Sequence, residues 1–345
     1  MPSFTVPPAL EPGDTLAVLA PSRPPAEPWF SVALDRLRET FGLDPVVYPT
    51  AERVGAEEPV PPAERATEIE RAFADPEVRG VMAVTGGDDQ IRVLRHLDAD
   101  VLRENPTRFY GFSDNDNLRL YLWNLGIVSY AAQLMPTLAL DPDLHPYTER
   151  YLRRALFEDG LGVVDPAEEW TDGWYEFDGE PREWRPTDGH GWWLGPDADA
   201  ERAVEGRVWG GCYSIVSWHL ETSRYLPDPD DFDGAVLALE TSETLPDAAD
   251  VGYTLRSMGE RGLLERFDGV LVGRPKSFNP RVDRDRDFEE YRSDIRDAVT
   301  TQLAEYAPDA VAVFDVDFGH TDPHVPLPLG GLATLDAREN QLRVD

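Results

Sequence analysis

Short apolar runs alternate with amphipathic stretches through the first third of the chain. Residues 16–20 are apolar, follow a Gly-Asp turn and stop at Pro21-Ser22, which predicts a buried first strand. Residues 31–40, with Val32, Leu34 and Leu37 ahead of Phe41, predict an amphipathic helix. A strand at 46–48, a helix at 63–74 and a strand at 80–84 follow. Gly86-Gly87-Asp88-Asp89 then leads into a helix carrying Ile91, Val93, Leu94 and Leu97. Residues 108–112 read as the next strand, and Leu118, Leu120, Tyr121, Leu122 and Leu125 mark the helix that begins after Ser113. This alternation predicts an α/β fold with a parallel sheet covered by helices on both faces. In such sheets ligands sit at the carboxyl ends of the strands, where both the glycine loop and Ser113 fall.

The pattern breaks between about 165 and 205, where Trp170, Trp174, Trp184, Trp192 and Trp193 stand among Gly, Pro and Asp. This stretch reads as an irregular connector with short strands. Its tryptophans either staple it to the body or form a wall on which a substrate ring stacks, with Trp192 the candidate for the latter. A second α/β region starts near 206, with apolar runs at 235–239, 269–273 and 310–314 and helices expected at 211–222, 247–259 and 287–306. The expected division is an N-terminal domain over 1–145, a Trp-rich connector over 146–205 and a C-terminal domain over 206–345. The charge run from Arg281 to Asp287 reads as a solvated, peripheral loop.

Composition narrows the possible partners. At 345 residues and 41% hydrophobic, the chain is long enough for two domains and a sizeable core. Asp and Glu number 66 against 32 Lys and Arg, a net charge of −34, and Lys276 is the only lysine. Carboxylates dispersed from end to end with almost no lysine are the halophilic pattern, expected of a protein kept soluble in concentrated salt, where screening shortens the reach of self-repulsion. A nucleic-acid partner is not expected, because a phosphate backbone calls for clustered Lys and Arg. Cys212 is the only cysteine, so no intrachain disulfide and no Cys-rich metal site can form. The N-terminus lacks a basic flank and an apolar h-region, and no apolar run is long enough to span a bilayer, so a cytoplasmic protein without a membrane partner is expected.

Candidate chemistry centres on Gly111-Phe112-Ser113-Asp114. A hydroxyl on a sharp strand-to-helix turn is held clear of its own backbone beside free N–H groups, as a nucleophile requires. The competing reading is a helix cap, which serine also makes well. Glu240 ends the buried run 235–239, and His320 follows another strand in the turn Asp317-Phe318-Gly319-His320. A hydroxyl attacks only if a base takes its proton, and an imidazole held by a carboxylate meets that need, so Ser113, His320 and Glu240 together suit acyl transfer. The order Ser, Glu, His is that of an α/β-hydrolase, yet Asn115 stands where a nucleophile elbow has glycine. Glu243 is a rival carboxylate, expected at the surface or facing substrate. His324 is separated from His320 by Pro323 and has no evident third ligand, so no metal and no cofactor is expected.

The chain resembles the LD-carboxypeptidase family of serine peptidases, in particular the branch related to microcin C immunity peptidases. The resemblance is carried in order by Gly13-Asp14-Thr15-Leu16-Ala17-Val18 with Ala20-Pro21-Ser22, by Gly86-Gly87-Asp88-Asp89, by Gly111-Phe112-Ser113-Asp114, by Gly206-Arg207-Val208-Trp209-Gly210-Gly211-Cys212, by Leu239-Glu240-Thr241-Ser242-Glu243, and by Asp317-Phe318-Gly319-His320-Thr321-Asp322-Pro323. It implies a flavodoxin-like N-terminal domain, a swivelling α/β C-terminal domain, a site in the cleft between them and a homodimer. It also implies a Ser113–His320–Glu240 triad, with an oxyanion hole from the backbone N–H groups of Asp114 and Gly87 (or Gly86). Asp88, Trp192 and Glu243 are the candidate substrate contacts. A His-Gly-Pro or Tyr-Gly-Pro turn common in the family is replaced by Tyr130-Ala131-Ala132-Gln133. The implied activity is hydrolysis of a murein tetrapeptide or of an aminoacyl-nucleotide conjugate; the alternative is a peptide- or sugar-binding relative without catalysis.

Overall fold

The computed structural model describes residues 3–139, 143–174, 182–199, 201–282 and 287–345. The first sheet is built from β1 (Thr15–Leu19), β2 (Asp44–Val47), β3 (Val78–Ala83), β4 (Arg108–Gly111) and β5 (Ser129–Ala131), all parallel, in the order β2-β1-β3-β4-β5. That is the flavodoxin-like strand order. Helices α1 (Trp29–Glu39), α2 (Pro62–Ala74), the short α3 (Ile91–Leu94) and α4 (Ala99–Glu104), and α5 (Asp116–Asn124) connect the strands. Amphipathic spacing explains them: α1 buries Phe30, Ala33, Leu34 and Leu37, one face of a helix, while Asp35 and Arg38 stay in solvent. Proline at the start of α2 costs no intrahelical bond.

The connector is more ordered than its composition suggests. It opens with α6 (Pro146–Phe157), followed by β6 (Gly162–Val163), a small ribbon of β7 (Glu169–Trp170) with β8 (Arg185–Pro186), and β9 (Gly191–Leu194). The remainder is β10 (Ala203–Cys212), α7 (Tyr213–Thr222), β11 (Ala235–Glu240), α8 (Ala248–Glu260), β12 (Phe267–Gly273), α9 (Phe288–Tyr306), β13 (Val311–Val316), β14 (Pro328–Leu329), β15 (Leu332–Asp336) and β16 (Gln341–Val344). The second sheet runs β6-β16-β15-β10-β11-β12-β13-β9. Its middle, β10 to β13, is parallel; the flanking strands run antiparallel. Both edge strands, β6 and β9, therefore come from the connector.

The two halves interlock. Strand β14, far along the chain, pairs antiparallel with β5 and closes the edge of the first sheet. Trp123 on α5 is fully buried and its indole N–H donates to the Val208 carbonyl in β10 at 3.0 Å. One continuous apolar cluster takes in Val18, Trp123, Trp209, Phe232, Leu271 and Val313 from both sheets. Among the described residues no helix is long and apolar enough to cross a membrane. Residues 283–286 of the charge run and 175–181 of the Trp-rich stretch lie outside the described residues.

Candidate active site

Ser113 opens a single 3-10 turn (Ser113–Asn115) between β4 and α5, with φ at +63°. A β-carbon is disfavoured in that region, so the turn holds Ser113 in a strained, outward pose. Its hydroxyl does not cap the helix that follows. It lies 3.0 Å from His320 Nε2, and His320 Nδ1 lies 2.8 Å from Glu240 Oε2. Glu240, at the end of β11, is 2% exposed. Three residues from two sheets are thus joined in one hydroxyl–imidazole–carboxylate line.

Burial alone would depress the His320 pKa. Glu240 first, then Glu243, outweigh it and hold the imidazole at about 8. Glu243 approaches the opposite ring nitrogen, with Oε2 3.1 Å from Nε2. Burial pushes Glu243 up, but the positive imidazole, its own backbone N–H, Lys276 and Arg23 together outweigh that and its carboxyl is lowered overall. The His320 ring also packs on Phe112, with centroids 4.5 Å apart.

Asp114 supplies the second anchor. Its buried carboxylate accepts the backbone N–H of Asp89 at 3.0 Å and of Gln90 at 2.9 Å, together with the Ser22 hydroxyl. Burial raises its pKa against those bonds. The loop after β3 and the turn after β4 are therefore clamped together, which brings Gly86 against Ser113. A Cβ on Gly86 would fall 3.0 Å from the Ser113 hydroxyl oxygen, so only glycine allows that approach. Asn115 reinforces the clamp, donating to the Thr85 carbonyl at 2.9 Å and accepting from Gln90 Nε2 at 2.7 Å.

The line opens into a cleft of about 450 Å³, walled by both halves of the chain. Gly86, Gly87, Asp88 and Glu243 all border it. Asp88 is exposed there and pairs with Arg23 at 3.4 Å. Trp192 does not border it: on β9 it sits opposite Val313 of β13 and packs on the C-terminal core, because the Gly-Trp-Trp-Leu run is an edge strand and not a loop. The tryptophans of the cleft are Trp29 and Trp174. Arg281 is not peripheral either; it borders the cleft with its guanidinium 5.1 Å from the Trp174 ring centre. Lys276 joins it, buried and donating to the Asp172 carbonyl at 2.7 Å. Gln133 occupies the cleft where the family turn is replaced.

Sequence reasoning missed Ser22, Gln133, Lys276 and Cys212, yet one signal marks them all. Each stands at or just past the carboxyl end of a strand in the middle of a sheet, β1, β5, β12 and β10 respectively. His324, beside His320, is buried and taken up by the Gly319 and Ala131 carbonyls at 3.2 and 2.5 Å. The described residues contain one group with the makings of a metal site: Cys212, Glu240 and His320 each bring a ligand atom within 4.8 Å of the others. Two of those three already bond to each other in the line.

Comparison with known proteins agrees over both halves of the chain. The LD-carboxypeptidase N-terminal domain matches residues 16–132, and the LD-carboxypeptidase C-terminal domain matches residues 205–335. A Bacillus subtilis relative named "Probable murein peptide carboxypeptidase" is 24% identical over 96% of this chain and 92% of its own. The solved MccF-like protein from Bacillus anthracis superposes with a TM-score of 0.83 at 24% identity, covering 99% of this chain and 98% of that one. The Escherichia coli microcin C7 self-immunity protein MccF is 24% identical over 79% of this chain and 75% of its own. MccF solved in complex with aspartyl sulfamoyl adenosine superposes with a TM-score of 0.81, at 22% identity over 98% of this chain and 97% of that one.

Proposed function

The chain belongs to the LD-carboxypeptidase family, and on that premise we propose that it is a serine hydrolase cleaving an amide bond in an aminoacyl-nucleotide conjugate. The observation that carries this reading is the placement of His320 between the Ser113 hydroxyl, at 3.0 Å, and the Glu240 carboxylate, at 2.8 Å. Ser113 attacks the scissile carbonyl as His320 Nε2 takes its proton; Glu240 holds the Nδ1 proton and offsets the imidazolium charge. The tetrahedral oxyanion is met by the backbone N–H of Asp114 and of Gly87 or Gly86, donors that each supply about 3 kcal/mol in comparable sites. His320 then protonates the leaving nitrogen, and water hydrolyses the acyl-serine by the same base.

The cleft favours a nucleotide over a murein peptide. Trp174 and Trp29 offer faces for a heterocycle, and Arg23, Lys276 and Arg281 offer charge to a phosphate or sulfamate. The ligand named for the related MccF structure, aspartyl sulfamoyl adenosine, has that combination. The test is hydrolysis of aspartyl-sulfamoyl-adenosine and of a murein tetrapeptide in molar KCl, each with wild-type and Ser113→Ala protein. Ser113-dependent cleavage of the nucleotide conjugate supports the proposal. Cleavage of the tetrapeptide alone replaces the substrate, and turnover untouched by Ser113→Ala removes the triad.

A further inference from the structure

Cys212 and Glu240 are register partners on the parallel strands β10 and β11, so their side chains leave the sheet side by side at its carboxyl end. His320, on the loop after β13, closes the third side. A thiol sulfur, a carboxylate oxygen and an imidazole nitrogen from the three lie within 4.8 Å of one another. Cys212 and Glu240 are both buried. Glu240 Oε2 is committed to His320 Nδ1 at 2.8 Å, but Glu240 Oε1 is buried with no hydrogen-bond partner among the described residues. A buried carboxylate oxygen left unmet is costly, and a cation beside it would relieve that cost. Cys212 is also the N-cap of α7, and the positive end of a helix favours a thiolate over a thiol. The chain holds no second cysteine to pair with it, and the proposed hydrolysis does not use its sulfur. His324, the neighbour that the sequence offers as a second imidazole, is held by the Gly319 and Ala131 carbonyls and stays out of the group.

From this grouping we propose that Cys212, Glu240 and His320 form a binding site for a thiophilic divalent cation, zinc or cadmium, and that the bound ion switches off hydrolysis. The second half of the proposal rests on the serine-hydrolase reading above. Sulfur, imidazole nitrogen and carboxylate oxygen together suit zinc, whereas magnesium and calcium take oxygen ligands. A tetrahedral zinc ion sits about 2.3 Å from sulfur and about 2.0–2.2 Å from nitrogen and oxygen, so its ligands stand about 3–4 Å apart. This group reaches that spacing with a shift of about 1 Å. His320 borders the cleft, so the ion enters from there.

Inhibition follows from where the protons go. In the reactive line Nδ1 carries the proton that Glu240 holds, and Nε2 is free to take the proton of Ser113. An ion on Nδ1 displaces its proton, which moves to Nε2, or leaves to solvent where Nε2 already carries one. The thiol proton leaves to solvent as the sulfur–metal bond forms. Imidazole bound through Nδ1 is left with its single proton on Nε2, facing Ser113, and has no lone pair there to receive another. Glu240 is drawn onto the ion at the same time and no longer orients the ring.

The experiment adds cadmium, zinc or magnesium nitrate to wild-type, Ser113→Ala and Cys212→Ser protein in molar potassium nitrate, a salt that leaves these metals largely uncomplexed. With one cysteine in the chain, a thiolate-to-cadmium charge-transfer band in the ultraviolet reports Cys212 alone. The band should appear in wild-type and Ser113→Ala protein, saturate at one ion per chain and survive excess magnesium. The His320 15N NMR signals should become those of a metal-bound Nδ1 and a protonated Nε2. Hydrolysis of aspartyl-sulfamoyl-adenosine by the wild type should fall by at least about a hundredfold with zinc or cadmium, as expected for loss of a general base. It should return with EDTA and ignore magnesium. Changing a group that only supports a metal ligand costs about 10–100-fold in affinity, so loss of the thiolate itself in Cys212→Ser should raise the half-inhibiting concentration by at least about a hundredfold, whatever the basal rate of that variant. Absence of the wild-type band overturns the site. Inhibition equal in wild-type and Cys212→Ser protein, or activation by zinc, overturns the switch. The band and the NMR change in a protein that hydrolyses no substrate would uphold the site and count against the hydrolase reading alone.

Discussion

Gly319 and Glu240 touch so closely that a Cβ on Gly319 would lie 2.8 Å from both the Cβ and Oε2 of Glu240. Gly319 also has φ at +109°, a backbone pose that side chains rarely adopt. The residue before the imidazole is therefore what lets the β13 loop lie flat on the carboxylate and hold the 2.8 Å contact. Gly319→Ala should cost about 1–3 kcal/mol in stability from backbone strain. It should also lower kcat by on the order of a hundredfold through displacement of His320. Thermal unfolding with steady-state kinetics checks both, and an unchanged kcat would show that the contact does not set the position of the imidazole.

Glu240→Gln keeps the size of the side chain and removes its charge. An amide facing Nδ1 either presents its N–H₂ and forces the wrong tautomer, or accepts without offsetting the imidazolium. The comparable change in serine proteases lowers kcat by about 10⁴. The same order of loss is expected here, with KM little changed. A variant retaining more than a tenth of kcat would place the orienting role elsewhere, and the obvious candidate is Glu243.

Activity should rise with pH through an unusually high midpoint. Burial favours neutral His320, but Glu240 and Glu243 outweigh it and hold the pKa at about 8. As the proposed base, His320 must be neutral, so kcat/KM should be lost as pH falls through about 8, not through the ordinary 6.5. Stability runs the other way. A folded pKa above the unfolded one contributes about 2 kcal/mol that is fully present below pH 6.5 and lost as pH rises through 8. Rate profiles and denaturant melts across pH 5.5–9.5 should therefore show opposite trends, and a kinetic midpoint at or below the ordinary 6.5 would mean that the carboxylates do not outweigh burial.

The parallel strands were legible because burial on both faces leaves continuous apolar runs, and Ser113, Glu240 and His320 were legible because each follows such a run. What was not legible depended on pairing between distant segments. The run Gly191–Leu194 carries two tryptophans and no alternation, so nothing in it declares an edge strand until β13 lies beside it. Residues 328–329 are two positions long, and their place on β5 is set by the tertiary fold. Arg281 sits among exposed charges in the sequence, yet Trp174 draws its guanidinium into the cleft. Periodicity reports burial along one segment; it does not report which segment covers it.

Asp114 should be as sensitive as the proposed triad residues although it is turned away from the cleft. Its Oδ2 collects the N–H groups of Asp89 and Gln90 and the Ser22 hydroxyl, while Oδ1 accepts from Asn117 Nδ2 at 3.0 Å. In Asp114→Asn one of these sides must face a donor with a donor. The expected loss is about 1–3 kcal/mol of stability for a buried donor left unmet. The kcat should fall with it, as the Gly86-Gly87 loop slackens over Ser113. Asp114→Asn protein with full kcat but a lowered melting temperature would confine the clamp to stability.

Salt should stabilise the fold, and the balance of charges decides the sign. Surface pairs such as Arg266 with Asp233 at 2.7 Å weaken on screening, but exposed pairs contribute at most about 1 kcal/mol each. Against them stand 66 acidic residues and only 32 basic ones, so most carboxylates have no cation to pair with and repel one another. Raising ionic strength from 0.1 M to 1 M shortens the screening length from about 10 Å to about 3 Å, which removes most of that repulsion. The melting temperature should climb steadily with KCl over this range and respond far less to an uncharged osmolyte such as sucrose. A melting temperature that is flat or falling with KCl would mean that the ion pairs outweigh the repulsion, and that the acidic surface is not an adaptation to salt.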